Sequence, residues 1–143
     1  MDESSPATGA EHPVEVITRA LQELLRVGVR PAQMVRYLDL FPDAVILAAD
    51  DLSPGDTTDP YLRALNLADR ITAAVRSLGE GATGLATQAL FGVTPEARGQ
   101  LLKHRRRIAA DQLGIMTSTF RSYYEDNIVA DVALVVWTAN HHS

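Results

Sequence analysis

The sequence predicts an all-α fold: a single helical domain of about seven or eight helices with a C-terminal helix-turn-helix-like unit. Three observations point there. Apolar residues recur at spacings of three and four, as in Val14, Ile17, Leu21, Leu24 and Leu25. Proline and glycine stand where helices start and stop. No stretch between turn signals alternates apolar and polar residues at period two.

Residues 1–11 are polar and aperiodic and are expected to form a disordered tail, with one helical domain over 12–143. Pro13 opens the first helix and Gly28 ends it. Pro31 starts a second, with Met34, Val35, Leu38 and Phe41 as its apolar stripe; Pro42 interrupts it, and Val45 to Ala49 continue as a short helix or turn that completes an N-terminal helical part, 12–49. The acidic stretch 50–59 is the clearest loop. Asp59-Pro60 is an N-cap and first-turn pair for a long helix carrying Leu62, Leu65, Leu67, Ile71, Val75 and Leu78. A shorter helix follows from Ala82 to Phe91, closing the central part, 60–92. Thr94-Pro95-Glu96 combines a capping hydroxyl, a first-turn proline and a first-turn acid, so a helix is expected from there to Leu113. Thr117 to Tyr124 form the next. Asp126 or Asn127 caps a last one, in which Ile128, Val129, Val132, Leu134, Val135 and Trp137 are largely buried; the helix-turn-helix-like region is 94–140.

The stretch Arg106 to Glu125 has the residue pattern of a helix-turn-helix. Two short helices that cross steeply need a small residue at the crossing, a glycine in the turn and apolar residues on both sides. Ala110 is the small residue and Gly114 the turn glycine. Ala109, Leu113, Ile115, Phe120 and Tyr123 are the inward apolar positions. Met116 departs from the pattern, because a hydroxyl N-cap is usual there; Thr117 or Ser118 supplies one slightly later.

Beyond these positions, Leu90-Phe91-Gly92, Thr94-Pro95-Glu96, Arg98-Gly99, Arg105-Arg106, Ala109-Ala110, Leu113-Gly114, Thr119-Phe120-Arg121 and Tyr124-Glu125 make residues ~90–133 resemble a helical module recurrent in actinobacterial regulatory and conflict-system proteins. The resemblance covers about a third of the chain. It implies a regulator or adaptor rather than a catalyst.

Charge is distributed unevenly. Residues 1–62 hold four basic and eleven acidic side chains, whereas residues 96–121 hold six basic and two acidic. A basic strip on a helix-turn-helix predicts a DNA-binding regulator, with double-stranded DNA as partner and a homodimer as the reading form. Ser118, Thr119 and Ser122, with Thr117 at the start of the helix, would meet bases or phosphates, and Arg121 a guanine or the backbone. Arg98, Lys103, Arg105, Arg106 and Arg107 would contact phosphates. The competing expectation is a protein-interaction adaptor or self-assembling module, with the helix-turn-helix as scaffold. A basic run on a helix is usually a solvated face paired with acids, and a second helix with two tyrosines and one arginine is poor for reading DNA.

Other motifs carry less. Gly79 to Gly84 spells GxGxxG, but a helix precedes it and no strand–helix–strand unit surrounds it. Asp50, Asp51, Asp56 and Asp59 lack calcium-loop spacing. His12, His104 and the His141-His142 pair have no evident carboxylate partner, and there is no cysteine. The expectation is therefore a non-enzyme without cofactor or metal. The start of the chain lacks a basic and an apolar segment, and its longest apolar run, Val132 to Trp137, is short, so a cytoplasmic protein without membrane contact is expected.

Overall fold

The computed structural model describes residues 12–37 and 59–140, and over them the chain is all helical. Seven helices occur among the described residues: α1 (Pro13–Leu24), α2 (Pro31–Tyr37), α3 (Pro60–Ser77), α4 (Ala82–Leu90), α5 (Leu102–Leu113), α6 (Thr117–Tyr123) and α7 (Glu125–Asn140). Leu38, Phe41, the Val45–Ala49 turn, most of the acidic loop and His141-His142 lie outside the described residues.

Local chemistry sets the boundaries. At α1, His12 does more than precede Pro13. Its Nδ1 accepts from the Val14 amide at 3.1 Å, and the Glu15 carboxylate accepts from the His12 amide at 3.2 Å. These two bonds form a capping box with histidine in the place of the usual hydroxyl. The His12 ring also lies 5.6 Å from that of Trp137, tying the start of α1 to α7. At α3, Asp59 caps as its sequence position predicts, accepting from the Tyr61 and Leu62 amides at 2.9 and 3.2 Å. Replacing Asp59 by alanine is expected to cost about 1 kcal/mol of stability, measured by urea unfolding.

The start of α5 differs from expectation. Thr94-Pro95-Glu96 opens only a turn, with the Ala97 and Arg98 amides bonded to the Thr94 carbonyl. The Thr94 hydroxyl is buried and caps nothing. Gly99 takes the left-handed region at φ 80, breaking the helix, and α5 begins only at Leu102. Start signals inform the chain locally, and a left-handed residue three positions on overrides them. Likewise α7 starts at Glu125, ahead of the Asp126 or Asn127 cap that the sequence implies.

Helix α1 packs on α7, α2 on α3, and α3 on both α4 and α7; α4 packs on α5, α5 on α6, and α6 back on α7. One core results. Leu21, Leu24, Met34, Leu67, Ile71, Val75, Leu90, Phe91, Phe120, Val129 and Val132 are its largest buried apolar side chains. Leu134, expected inside, is half exposed, because the buried stripe of α7 runs through Ile128, Val129, Val132, Ala133 and Val136. No helix among the described residues is long and apolar enough to cross a membrane.

Candidate functional site

The α5–α6 unit has the geometry its pattern implies at most positions. Ala109 and Ala110 are fully buried, letting the second helix approach closely. Gly114 is left-handed at φ 67. The Ile115 amide donates to the Ala110 carbonyl and the Gly114 amide to that of Asp111, a Schellman closure that turns the chain into α6. Leu113 and Ile115 pack against the core, and Phe120 is its anchor in α6. Two expectations fail. Neither Thr117 nor Ser118 caps α6: the N-cap is Met116, with no side-chain bond. Tyr123 is not inward but 74% exposed. Three helical steps place it about 60° around from Phe120, and a seven-residue helix touching the core along one line does not cover that angle.

The three consecutive arginines have three different fates. Arg105 is 1% exposed. Its Nε donates to the Gln100 carbonyl at 3.0 Å, its Nη1 to the Leu90 carbonyl at 2.7 Å, and its Nη2 to the Leu25 carbonyl. Leu25 caps the end of α1 and Leu90 ends α4. These are carbonyls that a helix end leaves without an internal partner. The guanidinium therefore sits between two helix C-termini, where the helix dipoles favour a cation. Two left-handed glycines flank the side chain: a Cβ on Gly28 (φ 79) or Gly92 (φ 75) would sit in ordinary contact, 3.6 Å from Arg105 Cζ and 3.4 Å from Cδ, so the backbone conformation rather than the room calls for glycine. Burial, and then the neighbouring Arg106, lower the Arg105 pKa to about 10, with Glu125 opposing. The group remains protonated at neutral pH. Buried here, Arg105 cannot reach a phosphate, which corrects its assignment to a DNA contact.

Arg106 is committed elsewhere. Its Nε and Nη2 donate to the two carboxylate oxygens of Glu125 at 2.7 and 2.9 Å. The pair is mostly buried, with 16% and 10% side-chain exposure. Glu125 is the first residue of α7, so the bridge spans α6 and fixes α5 to α7. A phosphate would have to displace Glu125 to use this arginine. Arg107 alone of the three is solvent-exposed.

Arg98, Lys103, Ser118, Arg121 and Ser122 are also exposed, while Thr117 and Thr119 are partly buried. Arg98 is not on the α5–α6 unit: it lies in the α4–α5 loop and lines a cleft with Arg30 and Arg76. Around α6 the exposed surface is apolar and aromatic as much as basic. Met116 is 72% exposed, Tyr123 74% and Tyr124 42%.

Sequence reasoning missed the buried role of Arg105. The signal was its position four residues before the inward Ala109, on the same helical face. The GxGxxG match is the end of the turn joining α3 to α4 and the first residues of α4, with Gly81 as the α4 N-cap. No group of three or more potential metal ligands occurs among the described residues. Comparison with protein-family models, curated proteins and solved structures finds no match to this chain.

Proposed function

We propose that this chain is a non-enzymatic interaction module, a helix-turn-helix used as a scaffold, which docks protein through α6. The observation that carries this is the exposed trio Met116, Tyr123 and Tyr124 at the two ends of a short helix held to the core by Phe120. Exposed aromatic and methionine side chains are what interface centres use. The withdrawal of Arg105 and Arg106 into the fold supports the same reading, since it removes two of the five phosphate contacts a DNA complex would have drawn on.

The partner whose chemistry fits is a second copy. Residues 96–121 are basic and residues 1–62 are acidic, so two copies carry complementary charge. Sedimentation velocity is expected to show a concentration-dependent dimer. Met116→Ser with Tyr123→Ser is expected to weaken it about 10- to 100-fold without loss of helicity. A chain that stays monomeric at every concentration rejects self-docking.

DNA binding is the second reading, favoured by the exposed Ser118, Arg121 and Ser122 on α6 with Lys103 and Arg107 on α5. It predicts low-salt binding to mixed duplex that Arg107→Glu with Arg121→Glu abolishes. An intact dimer with no such binding decides for protein docking.

A further inference from the structure

Away from α6, three arginines meet at one cleft. It has a volume of about 440 Å³ and opens between the α1–α2 turn, α3 and the α4–α5 loop. Arg30, Arg76 and Arg98 line it, one from each of these elements. None of their guanidinium groups is hydrogen-bonded or ion-paired to a described residue. The lining sets these three arginines against one carboxylate, that of Asp69, and the net positive charge favours an anionic ligand. Arginine forks suit phosphate, to which they bond in pairs.

The rest of the wall is not that of a simple anion hole. Helix α3 presents Tyr61, Asp69, Thr72 and Arg76 to the cleft, at spacings that keep them on one face. Tyr61 is 52% exposed, so its ring has a free side. An aromatic face stacks a nucleobase, and a carboxylate about two turns further along the same helix accepts from ribose hydroxyls. Beneath Gly92, which lines the cleft, lies the aliphatic stem of Arg105. A second hollow of about 400 Å³ adjoins across Arg30 and adds Arg26, Gln33 and Gln100. The Arg30 guanidinium stands over Gly99 between the two, its Nη1 3.2 Å from where a Cβ would be.

We infer that this cleft binds a nucleoside phosphate, with Arg30, Arg76 and Arg98 holding the phosphates, Tyr61 stacking the base and Asp69 taking the ribose. The volume falls in the range of small-molecule sites. The adjoining hollow gives room for phosphates beyond the first. None of these residues belongs to α6, so the site stands or falls separately from docking.

The test titrates adenosine, AMP, ATP and inorganic phosphate into the full-length 15N-labelled chain at low salt, followed by amide chemical shifts. AMP and ATP are expected to shift Ala32, Gly92, Val93 and Arg98, with ATP at least as tight as AMP. Adenosine and inorganic phosphate should each bind at least 10-fold more weakly than AMP. Arg76→Glu and Arg98→Glu change exposed side chains and leave the fold intact by circular dichroism; each is expected to weaken AMP at least 10-fold. Tyr61→Ala should weaken AMP while leaving inorganic phosphate unchanged. The inference is overturned by any of three results: no shifts at millimolar AMP, inorganic phosphate binding as tightly as AMP, or AMP shifts that survive both arginine reversals.

Discussion

Arg105→Ala is expected to lower the stability of the fold by about 3–5 kcal/mol, the largest effect of any single polar substitution among the described residues. Three carbonyls, from Gln100, Leu90 and Leu25, lose their donor at once. Two of them end helices and are buried with the guanidinium, so water does not replace it freely. A void is left as well, walled by Gly28 and Gly92. Arg105→Lys is expected to recover only part of the loss, since one ammonium cannot reproduce a planar fork aimed in three directions. Urea unfolding followed by circular dichroism measures both variants. A loss under 1 kcal/mol for the alanine variant would show that the helix ends are held by packing alone. The contribution of Arg105 should be flat from pH 5 to 9. Its folded pKa is lowered to about 10, so folded and unfolded chains are both protonated throughout that window. Above about pH 10 the folded chain gives up the proton first, and the unfolded chain then binds more.

That role for Arg105 marks where the sequence stops being informative. The helical class, the Pro13 and Asp59-Pro60 starts and the Gly28, Gly92 and Gly114 stops are all local signals. Each depends on a few adjacent residues, and the structure follows them. The inward positions Ala109, Ala110 and Phe120 follow from helical period and turn spacing. Arg105, Arg106 and Arg107 look alike as a run, yet one is interred, one is paired and one is free. Successive residues differ by about 100° around a helix, so the three face different neighbours. Which neighbours they meet depends on Leu25, 80 residues away, and on Glu125, 19 residues away. The Arg30, Arg76 and Arg98 cleft was illegible for the same reason: its arginines come from three separated segments. Tyr123 misled differently. Its spacing from Phe120 is right for a shared face, but α6 is too narrowly buried to use it.

The Arg106–Glu125 bridge carries the second large effect. Glu125→Ala is expected to cost about 2–4 kcal/mol, because it leaves Arg106 mostly buried and unpaired beside a second guanidinium, that of Arg105. Arg106→Ala alone is expected to cost less, since Glu125 stays at the N-terminus of α7, where a carboxylate is favoured. Replacing both by methionine is expected to recover much of the loss, as buried ion pairs exchanged for apolar residues often do. The cycle should then give a coupling of about 1–3 kcal/mol; additivity within about 0.5 kcal/mol would mean the bridge fixes nothing. The double variant also tests, in a folded protein, whether either function draws on Arg106. If α5 and α6 read DNA through Arg106, duplex binding weakens and its salt dependence falls by about one ion. If α6 docks protein, the dimer is unchanged, because Met116, Tyr123 and Tyr124 keep their places on the surface. The bridge then serves only to hold α5 and α7 on either side of the helix that binds.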